Sequence, residues 1–279
     1  MVRAVPASLD PAVVAQVDAR LDGVELEHGV RIGWAVESGS RAWGFPSPDS
    51  DYDARFLYVR PVADYLSPWR PRDVVETPLD RVLDVNGWDL VKAVDLAVRG
   101  NATVAEWLSS PIVYRGDEGF RYDLSALVRE VTDRRAVGRH YAHVGQLQWQ
   151  RHAVDGPELV PLKRFFYALR PAAAVAWMLA RPEVPVPPMD LPTLLDGIDL
   201  DDTTRAEVAA LVEAKAVTRE LGTGQVPPSL RRFVAEQLAR GTTVFAPVAD
   251  STVPDRRVRA ADAFRSMLCP AYVPGGCPS

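Results

Sequence analysis

The sequence predicts an α+β fold in which a strand-and-helix part comes first and an all-helical part follows. Three observations predict it. Over residues 1–118, runs rich in β-branched and aromatic residues alternate with runs of helical periodicity. Over residues 119–245 only the helical period persists. The connections in that second part, at 182–192 and 226–228, are proline-rich, as links between helices often are. Residues 246–279 are weakly patterned and read as a tail.

The elements follow in order. "SLDPAVVAQVDARL" offers Ser8 or Asp10 as an N-cap, Pro11 in the first turn and apolar residues at helical spacing, so it predicts a helix. "VRIGWAVES" is a run of β-formers ending at Gly-Ser, and "DARFLYV" has the content of a buried strand. "LDRVLDVNGWDLVKAVDLAVRG" reads as a strand, an Asn-Gly turn and a helix closed by Gly100. "ATVAEWLSS" reads as a short helix, and "PIVYR", after Pro111, as an edge strand. Four later stretches, starting at "DLSALVREV", "PLKRFFYAL", "DDTTRAEVA" and "SLRRFVAEQ", carry the helical period.

The chain of 279 residues is long enough for one large domain or two modest ones. No apolar run reaches the roughly 18 residues of a membrane span, and the N-terminus does not read as a signal peptide, so a cytoplasmic protein is expected. A formal net charge of -5 argues against a general, charge-driven nucleic-acid binder but leaves room for a local basic groove. Cys269 and Cys277 sit in a Pro/Gly-rich end without the partners of a zinc site or a disulfide framework.

The chemistry concentrates in "ESGSRAWGFPSPDSDYDARFLYV". Asp51 and Asp53 lie two apart at the start of a strand, so both side chains point to one face and can converge on a cation. Mg²⁺, or Mn²⁺, suits one or two carboxylates plus water and phosphate oxygens. Upstream, Gly39 and Ser40 follow a strand and are expected to open a helix. The glycine there admits backbone N–H groups to a phosphate, and the serine can donate to it. Together the two halves would hold a nucleoside triphosphate. The competing reading is a solvent-facing turn whose aspartates serve turn chemistry. An EF-hand-like loop lacks its terminal glutamate.

The order strand, Gly-Ser, about ten residues, Asp-x-Asp, strand resembles the signature of the DNA polymerase β-like nucleotidyltransferase superfamily. Three stretches together, the one just quoted with "DVNGWDLVKAVDLAVRGNATVAEWLSSPIVY" and "KRFFYALRPAAAVAWM", look like consecutive blocks of the YcgL/RlaP group of predicted nucleotidyltransferases, over roughly residues 30 to 195. The resemblance implies a catalytic domain with a mixed sheet flanked by helices over residues 1–118, a helical domain over 119–245, and a third carboxylate on a neighbouring strand. Asp84 is the candidate for that carboxylate, placed where the strand should end, and Asp89, at a helix start, is the alternative.

By the same resemblance Lys92, Asn101, Glu106 and Trp107 fall in the second block, and Lys163, Arg164, Tyr167 and Arg170 in the third. Lys163 and Arg170 are expected phosphate contacts, with Arg41, next to Ser40, a further one. Lys92 and Arg164 rank behind them, and each has the alternative of a solvated or salt-bridged residue. The activity implied is transfer of an NMP from an NTP, ATP first, to an acceptor hydroxyl with release of pyrophosphate. RNA is favoured as acceptor by the group's genomic association with RNA ligases, and a protein hydroxyl or a small molecule fits the acidic charge equally. A nucleotide-sensing or toxin–antitoxin-type module without turnover is the reading from another class. His140, His143 and His152 share a helical stretch without acidic or cysteine partners, so no metal is expected there. Arg134, Arg135, Arg139 and Arg151 form either a polynucleotide stripe or a solvated helix face.

Overall fold

The Asp10 side chain accepts from the Ala12 N–H at 2.8 Å and Pro11 fills the first turn, so α1 (Pro11–His28) starts where its signals predict. It ends at Gly29, whose φ of 59° is the left-handed cap. Val14, Val17, Leu21 and Val24 are its buried stripe. This architecture is that of a computed structural model, which describes residues 1–151, 159–218 and 222–268. His152, Cys269 and Cys277 lie outside the described residues.

The sheet has six strands: β1 (Val2–Ala4), β2 (Arg31–Ser38), β3 (Tyr52–Val59), β4 (Val74–Glu76), β5 (Leu83–Asp89) and β6 (Val113–Gly116). They lie in the order β1-β6-β2-β3-β5-β4. Only β3 and β5 run parallel; the other pairings are antiparallel, so the sheet is mixed. The chain crosses from β3 to β5 through the short helix α2 (Val62–Leu66) and the edge strand β4.

Two expectations are corrected here. Asn86-Gly87 makes no turn, because both residues sit inside β5 and pair with Arg55 and Phe56 of β3. Gly87 is there for space: a Cβ on it would stand 2.2 Å from the Phe56 ring. The strand after Pro111 is not an edge strand either, since β1, which carries no strong sequence signal, pairs on its outer side.

Alternation along β3 divides the sheet into two faces. Tyr52, Ala54, Phe56 and Tyr58 pack with α1, Leu83, Val85 and Tyr114 on one face. Leu57 and Val59 face the other way, into a core with α3 (Leu90–Val98), α4 (Thr103–Ser109), α5 (Glu118–Val131) and α11 (Val253–Met267). Helix α5, expected in the helical part, therefore belongs by packing to the sheet. Residues 253–267, expected as weakly patterned tail, form α11, which buries Ala260 and Met267 in the same core.

The remaining helices, α6 (Arg134–Arg151), α7 (Leu162–Ala180), α8 (Leu191–Asp196), α9 (Asp202–Val217) and α10 (Pro228–Val244), share a separate core. A two-residue pairing of β7 (Val160–Pro161) with β8 (Thr223–Gly224) ties the start of α7 to the approach to α10. The α+β architecture, a mixed sheet flanked by helices followed by a helical part, is the expected one. Among the described residues no helix is long and apolar enough to cross a membrane.

Candidate active site

The parallel register of β3 and β5 sets Asp53 directly beside Asp84. By alternation both side chains leave the sheet on the face of Leu57, beyond the reach of its apolar cover, and both are about one-third exposed. Arg55, two residues after Asp53 and so on the same face, spans them. Its Nη2 donates to Asp53 Oδ1 at 3.1 Å and to Asp84 Oδ2 at 2.7 Å. Its Nη1 donates to the carbonyls of Ala54 and Asp84 at 3.0 and 2.8 Å. Asn86 Nδ2 donates to the other oxygen of Asp84 at 3.2 Å. Asp84 stands at the beginning of β5 and not at a strand end, because β5 runs parallel to β3 and both start at the cleft. Asp51 precedes β3 and is exposed.

Asp89 closes the far end of β5, on the opposite face from Asp84. There it caps α3 through the Val91 N–H and is held by Arg60 and Tyr65. Five residues of strand, about 16 Å, separate it from Asp84.

Burial pushes the Asp53 carboxyl up; Arg55 acts against it, the Asp84 and Asp51 charges add to it, and Lys163 opposes it. Behind this strand lies Glu37, fully buried on β2. Its carboxyl accepts from the Asp53 N–H at 2.9 Å and from the Tyr114 hydroxyl at 2.6 Å. Burial raises Glu37 to about 7.

Gly39 follows the last residue of β2 with φ of 75°, a backbone conformation open to glycine. No helix opens here. Trp43 N–H donates to Gly39 O at 2.9 Å and Phe45 N–H to Ser40 O at 3.1 Å, which makes a single turn. Gly44, with φ of 85°, ends it, and Pro46 and Pro48 prevent its resumption. Ser40 Oγ donates to Ser50 Oγ at 2.9 Å, tying the two ends of the loop. Arg41 lies 4.0 Å over the Tyr52 ring and donates to Ser50 O at 2.6 Å, so its guanidinium braces the loop.

The tip of this loop is embedded in the helical part. Phe45 stacks on Phe166 with centroids 5.0 Å apart, and Leu191 N–H donates to Trp43 O at 2.9 Å. Lys215 of α9, 2% exposed, donates to Phe45 O and sits 5.1 Å from the Phe45 ring. Burial, with Lys163 and Arg41 adding to it, lowers Lys215 to about 8.

Lys163 is exposed on the first turn of α7, and its charge acts on Asp53. Tyr167, one turn on, stands edge-on to Trp43 at 5.7 Å. Burial raises its hydroxyl, and Asp53 adds to that. Arg170, in contrast, is not free for a phosphate. It is 5% exposed, paired with Glu106, bonded through Nε to Met189 O at 2.8 Å, and stacked 4.5 Å over Trp43. Its guanidinium is consumed in joining α4 to α7, because Glu106 is buried as well and has the Tyr141 hydroxyl at 2.6 Å.

Three of the other block residues make structural contacts. Lys92 pairs with Asp73 at 3.3 Å, Asn101 Oδ1 accepts from Thr103 N–H, and Trp107 O accepts from Trp34 Nε1. Arg164 is exposed. In the arginine stripe, Arg134 donates to Met178 O and Arg135 to Val244 O, so both hold the helical part together. His143 is exposed and His140 half-buried, with its pKa lowered by burial.

Asp51, Asp53 and Asp84 are hard oxygen donors of the kind that Mg²⁺ or Mn²⁺ takes. The paired oxygens of Asp53 and Asp84 already share one cationic group, Arg55 Nη2, which marks a place built for positive charge. Among the described residues no three His, Cys, Asp or Glu side chains stand together at ligand spacing. The pair fits a cation, and Asp51 would have to turn in to complete the set.

Arg55, Glu37 and Lys215 escaped the sequence reading. For Arg55 a signal was present, since a residue two after Asp53 on a strand shares its face.

The chain matches the profile of RlaP, described as the RNA repair pathway DNA polymerase beta family, over residues 13–264. It is 37% identical over 220 residues to the uncharacterized protein YcgL of Bacillus subtilis (strain 168), across 79% of this chain and 83% of that protein. A nucleotidyltransferase-like protein from Exiguobacterium sibiricum 255-15, with a crystal structure, aligns over 90% of this chain and 78% of that one. Identity there is 11% and the TM-score 0.26.

Proposed function

The chain belongs to the RNA repair pathway DNA polymerase beta family, and from that membership we propose that it is a metal-dependent nucleotidyltransferase moving an NMP, AMP first, from an NTP to an acceptor hydroxyl. The observation that carries this reading is the in-register pairing of Asp53 with Asp84, facing the Gly39–Ser40 turn. Two carboxylates held that close repel unless a cation joins them, and a phosphate chain beside them needs the same cation.

Asp51, Asp53 and Asp84 would hold Mg²⁺ or Mn²⁺. Bound there, the metal would neutralise the triphosphate and make the acceptor hydroxyl more acidic. The backbone at Gly39 and the Ser40 hydroxyl hold the triphosphate, and Lys163, on the opposite wall, adds a mobile positive charge to it. The Asp84 carboxylate takes the proton from the acceptor hydroxyl as its oxygen bonds to the α-phosphorus. The bond from that phosphorus to the bridging oxygen breaks on the far side, and pyrophosphate leaves with the electron pair. RNA is the acceptor we favour, on the family description; a protein hydroxyl or a small molecule is the alternative.

Incubation with each α-labelled NTP, Mg²⁺ or Mn²⁺, and total RNA or protein extract tests the reading. Label is expected in the RNA fraction with the wild type and absent with Asp53→Asn. Transfer that survives Asp53→Asn and Asp84→Asn removes the site assignment. One observation favours a second reading: Arg55 satisfies the carboxylate pair without a metal, as a nucleotide-binding module without turnover would need. NTP binding with no transfer to any acceptor supports that module.

A further inference from the structure

Arg55 occupies the centre of the candidate site in a way that the reading above leaves unexplained. Its Nη2 is shared between Asp53 Oδ1 and Asp84 Oδ2, and its side chain is 16% exposed. The group is not a chance surface pair. Nη1 is anchored separately on two backbone carbonyls, Ala54 O and Asp84 O, one on each of the paired strands. Asn86 Nδ2 takes the second oxygen of Asp84. Among the described residues no donor reaches Asp53 Oδ2, which lies against the Cα of Gly39. The carboxylate oxygens that face each other are thus the ones already in use.

We infer that Arg55 is a resident counter-ion of the Asp53–Asp84 pair, which a divalent cation displaces from those oxygens on binding. The inference rests on the metal-dependent reading above. Three features support exchange over simple coexistence. A second cation at the same two oxygens meets the charge of Nη2 at contact distance, and like charges that close repel. The Nη1 anchors do not involve the carboxylates, so Nη2 can release them without the side chain losing its place. Among the described residues no three potential metal ligands stand together, and the cation that the pair holds in this structure is Arg55. Arg55 is therefore a positioning residue. It keeps the two carboxylates aligned while the site is empty and sets the threshold of metal concentration at which the site loads.

Mn²⁺ binding to the full chain, followed by the loss of the free-ion electron paramagnetic resonance signal without nucleotide, tests this. Removing the resident charge is expected to tighten Mn²⁺ binding about tenfold or more in Arg55→Gln. Arg55→Lys, which keeps the charge, is expected within about threefold of wild type on the same grounds. The metal-free Arg55→Gln protein is expected to melt below wild type and to recover on adding Mn²⁺, because its carboxylates have lost the cation that bonds to both. Arg55→Gln binding Mn²⁺ no more tightly than wild type overturns the inference. If wild type binds Mn²⁺, Asp53→Asn does not, and Arg55→Gln equals wild type, only the counter-ion role falls. If neither wild type nor Arg55→Gln binds Mn²⁺, the metal-dependent reading falls with it. A second measurement needs no destabilised variant. In ¹⁵N-arginine-labelled wild type, with the Arg55 resonance assigned by its absence in Arg55→Lys, Mg²⁺ titration is expected to move the guanidinium signal. A signal unmoved at saturating Mg²⁺ overturns the inference.

Discussion

The Cα of Gly39 rests on the carboxylate of Asp53, so that a methyl group added at Gly39 would stand 2.2 Å from Asp53 Oδ2. The turn proposed to hold phosphate and the strand proposed to hold metal touch here. The φ of 75° at Gly39 adds a backbone reason for the same residue.

Gly39→Ala is therefore expected to act on both halves of the site. The new methyl group drives Asp53 out of register with Asp84, and the positive φ costs about 1 kcal/mol besides. The expected result is a near-complete loss of nucleotidyl transfer with a modest drop in the urea midpoint. A variant that folds and transfers at the wild-type rate shows that the contact is unimportant.

Lys163 and Arg170 separate cleanly. Lys163→Ala removes an exposed charge facing Asp53, so the melting temperature is expected to hold while NTP binding weakens about tenfold. Calorimetric titration with a non-hydrolysable NTP reads this, and unchanged affinity removes Lys163 from the triphosphate site.

Arg170→Met should behave the other way. It leaves Glu106 buried without its cation, and breaking such a pair costs about 3–5 kcal/mol. Chemical denaturation is expected to show that loss, with NTP affinity of the folded fraction unchanged. An unaltered midpoint with weakened NTP binding restores Arg170 as a phosphate contact.

Glu37 sets a pH dependence. Its carboxyl is raised from 4.5 to about 7 in the folded protein by burial, while the unfolded chain releases the proton near the ordinary value. Between those two values the folded state holds more protons, so the stabilising share of Glu37 is intact below pH 4.5 and is lost as pH rises to 7. The loss is on the order of 3 kcal/mol. Glu37→Gln, whose amide can still accept from the Asp53 N–H, is expected to flatten the fall in denaturation midpoint across that window. Parallel wild-type and variant profiles exclude Glu37 as the source.

Local signals served well wherever one residue type had one conformational use. Asp10-Pro11 starts α1 because caps act over a single turn, and the β-former runs of β2 and β3 stood out for the same local reason. Strand alternation, also local, places Asp53 on the face that the sequence predicts, whereas Asp51 stands before the strand and outside that pattern. Tertiary facts were not. Gly87 looks like a turn residue in sequence and is a packing residue in the sheet, and only Phe56, thirty-one positions away, explains it. Arg170 looks like a free cation until Glu106 is seen beneath it. The apolar stripe of α11 is thin, with Ala260 and Met267 its main buried members, and becomes a helix worth forming only on the surface that α3 and α5 present.

That last helix has a mechanical consequence. The chain enters the α6–α10 assembly from α5 and returns from it into α11, and these two lie side by side on one face of the sheet. An arm moored at both ends cannot swing about a single tether. Phe45 packed on Phe166 and the Glu106–Arg170 pair fasten it again between those moorings, which leaves Lys163 on a wall held at several points.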